Sequence, residues 1–273
     1  MRLLFLGDVI GRPGRAVVAD HLPGLIADHA IDFCVVNGEN SAHGFGITHS
    51  TFEDIVGAGA DAVTLGNHAF DQKQALSLAD ADPRLVRPAN FPTGTPGRGS
   101  YLFETRAGAR VLVANVMGQL FMGPALDDPF AAADRILDGM ELGGAADAIL
   151  FDFHAETTAE TQCFGHHLDG RASVVVGTHT HIPTADHRIL PGGTAYQTDA
   201  GMCGAYDSSI GMDKEEPLTR FVRKVGSGRM EVATGPVSLC GLAVEISDRT
   251  GLAERVAPLR IGGDLEETRP DWW

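Results

Sequence analysis

Asp8, Glu39, Asn40, Asn67, His68, His154, His179 and His181 bring carboxylate, amide and imidazole donors to six short polar segments, each following or interrupting an apolar run. Such hard-to-borderline donors are the ones that hold iron, manganese or zinc. Together they spell the ligand set of a two-metal hydrolytic site, in which two cations about 3.5 to 4 Å apart clamp a phosphoryl group and activate a water. Singly, each residue has a plainer reading. Asp8 could cap a helix, Glu39 and Asn40 could close a turn, Asn67 could take a left-handed turn conformation, and His154 could be a structural histidine. His179 and His181 are harder to set aside, because alternate side chains of an extended segment face the same way. The joint occurrence of all these donors at strand ends is what argues for a site.

Donors need elements to carry them. Apolar runs at 3–6, 33–36, 62–65, 111–116, 148–153 and 174–176 read as buried strands, and 14–30, 48–58, 71–79, 129–142 and 157–168 read as helices. The alternation is an α/β pattern. With these strands side by side and pointing one way, their carboxyl ends would bring the donors to one crevice, the place where open α/β sheets bind ligands. Gly7, Gly11, Gly38, Gly66 and Gly177 flank the donors and are expected to allow tight chain reversal there. After residue 183 consecutive strands follow at 185–190, 194–198, 230–233 and around Leu242, Val244 and Ile246, so a second sheet packed on the first is expected. The spacing of Gly7, Gly11 and Gly14 is not a GxGxxG loop, which argues against a bound dinucleotide.

Composition narrows the function classes. A chain of 273 residues without a linker-like tract or internal repeat is expected to form one domain, 1–273. Its net charge of -15, from 21 basic against 36 acidic residues, argues against a broad nucleic-acid surface. A small anionic substrate stays compatible with that charge, because bound cations reverse the local field. Cys34, Cys163, Cys203 and Cys240 show no CxxC or disulfide-like spacing, and a reduced, cytoplasmic setting is expected. The opening Met-Arg-Leu-Leu-Phe-Leu-Gly-Asp reads as a strand with an acidic end and not as a signal peptide, and no apolar run has the length of a membrane span.

The motifs GDVIG at 7–11, NGEN at 37–40, GNHAFD at 66–71, DFHAE at 152–156 and GTHTH at 177–181 resemble those of the calcineurin-like metallophosphoesterases. The superfamily pattern runs D-x-H, G-D, G-N-H-[DE], a lone His, then G-H-x-H. Two departures, Ile10 in place of the first histidine and Glu39 in place of the bridging aspartate, together with Asn40 and the segment YQTDAGMCGAYDSSIG at 196–211, are similar to the YmdB-like branch. The resemblance covers essentially the whole chain.

That resemblance implies a two-sheet αββα sandwich flanked by helices. It implies two divalent or trivalent metal ions bridged by Glu39, with Asp8, Asn40 and His181 on the first and Asn67, His154 and His179 on the second. Iron or manganese is favoured over zinc. His68 is expected to be catalytic, stabilising the transition state and protonating the leaving oxygen; its plainer role is to orient Asn67 or a carboxylate. The implied activity is a phosphodiesterase on cyclic nucleotides, opening 2',3'-cyclic nucleoside monophosphates to 3'-phosphates. A phosphomonoesterase is the alternative within enzymes, and a regulatory or RNA-turnover partner that binds a phosphorylated ligand is the alternative outside them. A homo-oligomer is also implied.

Four further features carry expectations. The segment 117–130, with Phe121, Met122 and Phe130, could stack a base, cover a subunit contact or pack the core. The glycine-rich 199–213 could form a substrate-side rim, with Cys203 in it but no partner that would make it a nucleophile. Asp71 is placed to cap a helix start. Trp272 and Trp273 could dock on a neighbouring subunit or fray.

Overall fold

The computed structural model describes residues 1–226 and 228–273. In chain order the first half contains β1 (Arg2–Leu6), β2 (Asp8–Val9), α1 (Gly11–His29), β3 (Phe33–Asn37), α2 (His49–Gly57), β4 (Ala62–Thr64), α3 (Lys73–Ala81) and β5 (Leu85–Val86). Next come β6 (Ser100–Glu104), β7 (Arg110–Met117), α4 (Pro129–Leu137), β8 (Ala148–His154), α5 (Thr158–Leu168), β9 (Val174–Thr178), β10 (Arg188–Ile189) and β11 (Ala195–Gln197). The chain continues through β12 (Met202–Ala205), α6 (Glu215–Arg223), β13 (Val237–Ile246) and β14 (Ala253–Ile261).

Two sheets share these strands. One runs β2-β12-β13-β1-β3-β4-β5 with β14 on the far side of β13, and the other runs β10-β11-β9-β8-β7-β6. Period-two alternation decides which side chain faces which layer. Leu3 and Phe5 point between the sheets, meeting Val111, Val113, Leu150, Val174 and Val176 of the other layer. Leu4 and Leu6 point outward beneath Val18, Leu22, Phe52 and Ile55 of α1 and α2. On the opposite flank Phe151 and Phe153 pack on Phe164 of α5, with the Phe153 and Phe164 rings stacked at 4.0 Å. Each such fully buried side chain contributes about 1.5–3 kcal/mol of transfer free energy. The result is an αββα sandwich.

The division of strands differs from the expected one. The donor-bearing strands do not lie in a single sheet: β1, β3 and β4 are parallel neighbours in the first layer, whereas β7, β8 and β9 are parallel neighbours in the second. Nor do the late strands form a sheet of their own. β13 pairs antiparallel with β1, Leu3 opposite Val244, and β11 pairs parallel with β9. Convergence of the donors therefore comes from two carboxyl edges facing each other across the sandwich.

Element ends have local causes. Thr48 caps α2 with a reciprocal bond to Thr51, and Asp128 caps α4 by accepting from Phe130 N and Ala131 N at 2.8 and 3.2 Å. The expected strand at 230–233 is reduced to one bridge, Val232 to Met212. The expected helix 129–142 ends at Leu137, where Asp138 and Gly139 break it. Asp71 does not cap α3, whose N-cap position is Gln72. Trp273 stacks on His29 at 4.3 Å and Trp272 lies under Arg255, so the aromatic tail docks on its own chain.

Candidate metal centre

Each histidine of the candidate set has one ring nitrogen anchored, which leaves the other available as a donor. His154 Nδ1 lies 2.9 Å from the Thr178 hydroxyl, which itself donates to Asp152 Oδ1 at 2.6 Å. Thr178 must therefore accept from Nδ1–H, and Nε2 is the nitrogen with a free lone pair. His179 Nε2 faces Glu156 Oε2 at 3.1 Å, freeing Nδ1. His181 Nδ1 donates to Ile210 O at 2.8 Å, freeing Nε2. Carboxylate, hydroxyl and carbonyl partners of this kind fix tautomer and ring orientation at metal sites.

The freed nitrogens meet oxygens. His154 Nε2 has Asn67 Oδ1 at 2.9 Å, Glu39 Oε1 at 3.1 Å and His179 Nδ1 at 3.1 Å. One nitrogen carries at most one proton, so hydrogen bonding cannot satisfy three acceptors around it. Donors sharing one cation at ~2.1 Å lie about 3 Å apart along an octahedral edge, the spacing found here. Glu39, His154 and His179 have ligand atoms all within 4.8 Å of one another, a group that could hold an ion. Beside it, Asp8 Oδ1 lies 3.8 Å from His181 Nε2.

Polar atoms left over make the same point. Asp8 Oδ1, Glu39 Oε1 and Asn40 Oδ1 are buried and accept no aligned hydrogen bond among the described residues. Leaving a buried polar group unpaired costs about 1–3 kcal/mol, and more when it is charged. Cations would satisfy all three, and no thiol stands among these donors.

A family model described as YmdB-like protein matches residues 4–259. The chain belongs to the YmdB-like protein family. A Bacillus subtilis (strain 168) relative named 2',3'-cyclic-nucleotide 2'-phosphodiesterase is 46% identical over 264 residues, covering 97% of this chain and 98% of that protein. The solved structure of a hypothetical protein from Thermus thermophilus is 42% identical with a TM-score of 0.88, covering 97% of this chain and 100% of the other. A solved Mycoplasma pneumoniae protein described as a novel phosphatase is 34% identical with a TM-score of 0.90, covering 97% and 94%.

Charge in this YmdB-like site is strongly polarised. Burial opposes a proton on His154, but Glu39, Asp8 and Asp152 outweigh it and push the imidazole up to about 9. Burial, helped by His154, holds His179 down to about 3, and burial holds His181 down to about 4. Burial alone would raise Glu39, yet His154 and His68 bring it to about 2. Burial lifts Asp8 well above the carboxylate range and Asp199 up to about 7. His179 and His181 are thus neutral, while His154 carries a proton among the carboxylates, a positive charge that a bound cation would replace.

Several local expectations are corrected by the geometry of this YmdB-like chain. His179 and His181 do not use an extended segment; their φ angles are 100° and 66°, and the left-handed turns aim both rings. Asp8 caps nothing, since α1 begins after Ile10 without a side-chain cap. Gly66 is required for space and not for a chain reversal: an added Cβ would lie 2.3 Å from His154 Nε2 and 2.4 Å from Glu39 Oε2. Cys203 is buried within β12 rather than on a rim, although Ser209, Ile210 and Met212 do border the cavity over the donors. Among the described residues, none of 117–130 lines that cavity.

The sequence reading missed the supporting residues. Asp152 accepts from Asn37 Nδ2 at 3.0 Å, joining β3 of one sheet to β8 of the other beneath the donors. It stands two positions before His154 on the same strand face, a signal present in the sequence. Glu156 closes the DFHAE motif, which by itself gives it no role. Asp71 pairs with His68, Oδ2 to Nδ1 at 2.7 Å.

Proposed function

We propose that this chain is a dinuclear metal-dependent phosphodiesterase that opens nucleoside 2',3'-cyclic phosphates to the 3'-phosphate. The observation that carries the reading is the crowding of Asn67, Glu39 and His179 donor atoms around one nitrogen of His154, at 2.9 to 3.1 Å. The substrate class comes from the printed name of the Bacillus subtilis relative. Asn67, His154 and His179 would hold one ion, Asp8, Asn40 and His181 the other, with Glu39 between them. Oxygen and imidazole donors without thiolate favour iron or manganese over zinc. Such ions, when bound, polarise a phosphoryl oxygen and make a water nucleophilic at neutral pH.

The chain's own groups do the rest. Glu39 Oε2 accepts from His68 N at 2.9 Å, tying the position of His68 to the donor set. Asp71 takes the Nδ1 side of the His68 ring, and Phe45 packs against that ring at 5.1 Å. His68 borders the cavity, so Nε2 is the nitrogen left to serve substrate. As a water oxygen bonds to phosphorus and gives up a proton to solvent, the bond from phosphorus to the 2' oxygen breaks, that oxygen takes the electron pair, and His68 supplies its proton.

Metal analysis of the purified protein, coupled to a panel of 2',3'-cyclic, 3',5'-cyclic and linear phosphoesters, tests the reading. His68→Ala should keep its metal and lose about 10²- to 10⁴-fold in kcat. Asn67→Ala and His154→Ala should lose metal and turnover together. Full turnover by either metal-site variant, or preference for a linear monoester, overturns the reading.

A further inference from the structure

The cavity above the donors has a volume of about 290 Å³, and its two halves differ in chemistry. The floor holds Glu39, Asn40, His68, His179 and His181. The wall is mostly carbon, from Phe45, Ile210, Met212, Pro217, Phe221 and Met230. A volume of this size suits a small ligand, whose orientation is set by few polar groups against an apolar lining.

α6 supplies the unusual part of that wall. Pro217, Arg220 and Phe221 stand at i, i+3 and i+4, so one helix face borders the cavity. Arg220 is held by Glu216, Nε to Oε1 at 2.8 Å. Phe221 nevertheless leaves 73% of its surface in water. A large aromatic ring left so exposed at the mouth of a polar site gains by being covered. Phe45, on the same cavity, is fixed edge-on to His68.

We propose that Phe221, with Phe45, forms a subsite on which the nucleobase of the substrate stacks while its cyclic phosphate faces the donors. The inference rests on the phosphodiesterase reading and adds how the nucleoside is recognised. Stacking is tolerant of base identity because every base has a π face. The wall's polar members are Ser209 and Arg220, so it reads base area more than base edges, and purines are favoured over pyrimidines.

The test compares kcat/KM for adenosine 2',3'-cyclic phosphate with that for methyl riboside 2',3'-cyclic phosphate, which lacks a base. In the metal-loaded wild type the ratio should be about 10 or more. Phe221→Ala should lower that ratio about 5-fold or more, and Phe221→Trp should keep it. An unchanged ratio in Phe221→Ala, or equal turnover of both esters by the wild type, overturns the subsite and leaves the phosphodiesterase reading standing. Turnover of neither ester by the wild type removes that reading, and the subsite with it.

Discussion

At the residue scale, the anchors behind the histidines matter as much as the donors. Thr178→Val would leave His154 Nδ1 without its acceptor and free the ring to turn. Metal affinity should fall about 10- to 100-fold with the fold retained, read by titration of the apoprotein. Gly66→Ala should be worse, because its methyl group has no room beside His154 and Glu39. Loss of bound metal with a near-native circular dichroism spectrum is the expected result. The thiols offer an independent check. Burial raises Cys34 and Cys203 well above the thiol range and Cys240 up to about 11, so all three stay protonated at pH 8 and below. Since the thiolate is the reactive form, a disulfide reagent at pH 8 should modify exposed Cys163 alone; a second fast thiol would contradict the burial. The residues of the candidate site could be picked out in the sequence because each follows or interrupts an apolar run. Asp71 and Glu156 were not legible as partners, since nothing in their spacing says which histidine nitrogen they face.

At the element scale, helices and strands were readable where one face was buried and obscure where it was not. α2 announces itself through Thr48 and a buried Phe52 and Ile55. Thr48→Ala removes the half of the cap in which the Thr48 hydroxyl accepts from Thr51 N, leaves the Thr48 N–H bond to the Thr51 hydroxyl, and should cost about 1 kcal/mol, measured as a lower urea midpoint at constant m. α6 escaped the reading although Leu218, Phe221 and Val222 stand at the i, i+3 and i+4 spacing of a helix; that apolar stripe is exposed in the fold and packs on no core. β14 escaped it because Glu254, Arg255 and Pro258 interrupt the pattern. Proline is tolerated there because β13 is the one strand that pairs with β14 among the described residues, and the bridge on its other edge is made by Arg260 with Thr268 and not by Pro258. The expected strand at 230–233 failed because, among the described residues, it joins no ladder beyond the single bridge from Val232 to Met212.

At the scale of the whole molecule, the αββα class was legible, but the partition of strands was not. Apolar runs such as 111–116 and 3–6 look alike in sequence, and only pairing decides which layer receives them. Because the donors come from both layers, ion binding should stabilise the folded state as a unit. At a metal concentration about 100 times Kd, the stabilisation is ~2.7 kcal/mol, and a chelator should lower Tm accordingly. A chelator without effect on Tm would show that the donors hold no ion in solution.

The pairing of β2 with β12, Asp8 opposite Met202, and of β1 with β13 has a consequence for how the protein is born. The first donor made waits for nearly the last strands before it has a fixed address. A nascent chain halted before residue 237 would offer β1 no neighbour on that flank. Hydrolytic competence should then arrive late and all at once during synthesis, guarding the cell's phosphoesters from half-finished molecules.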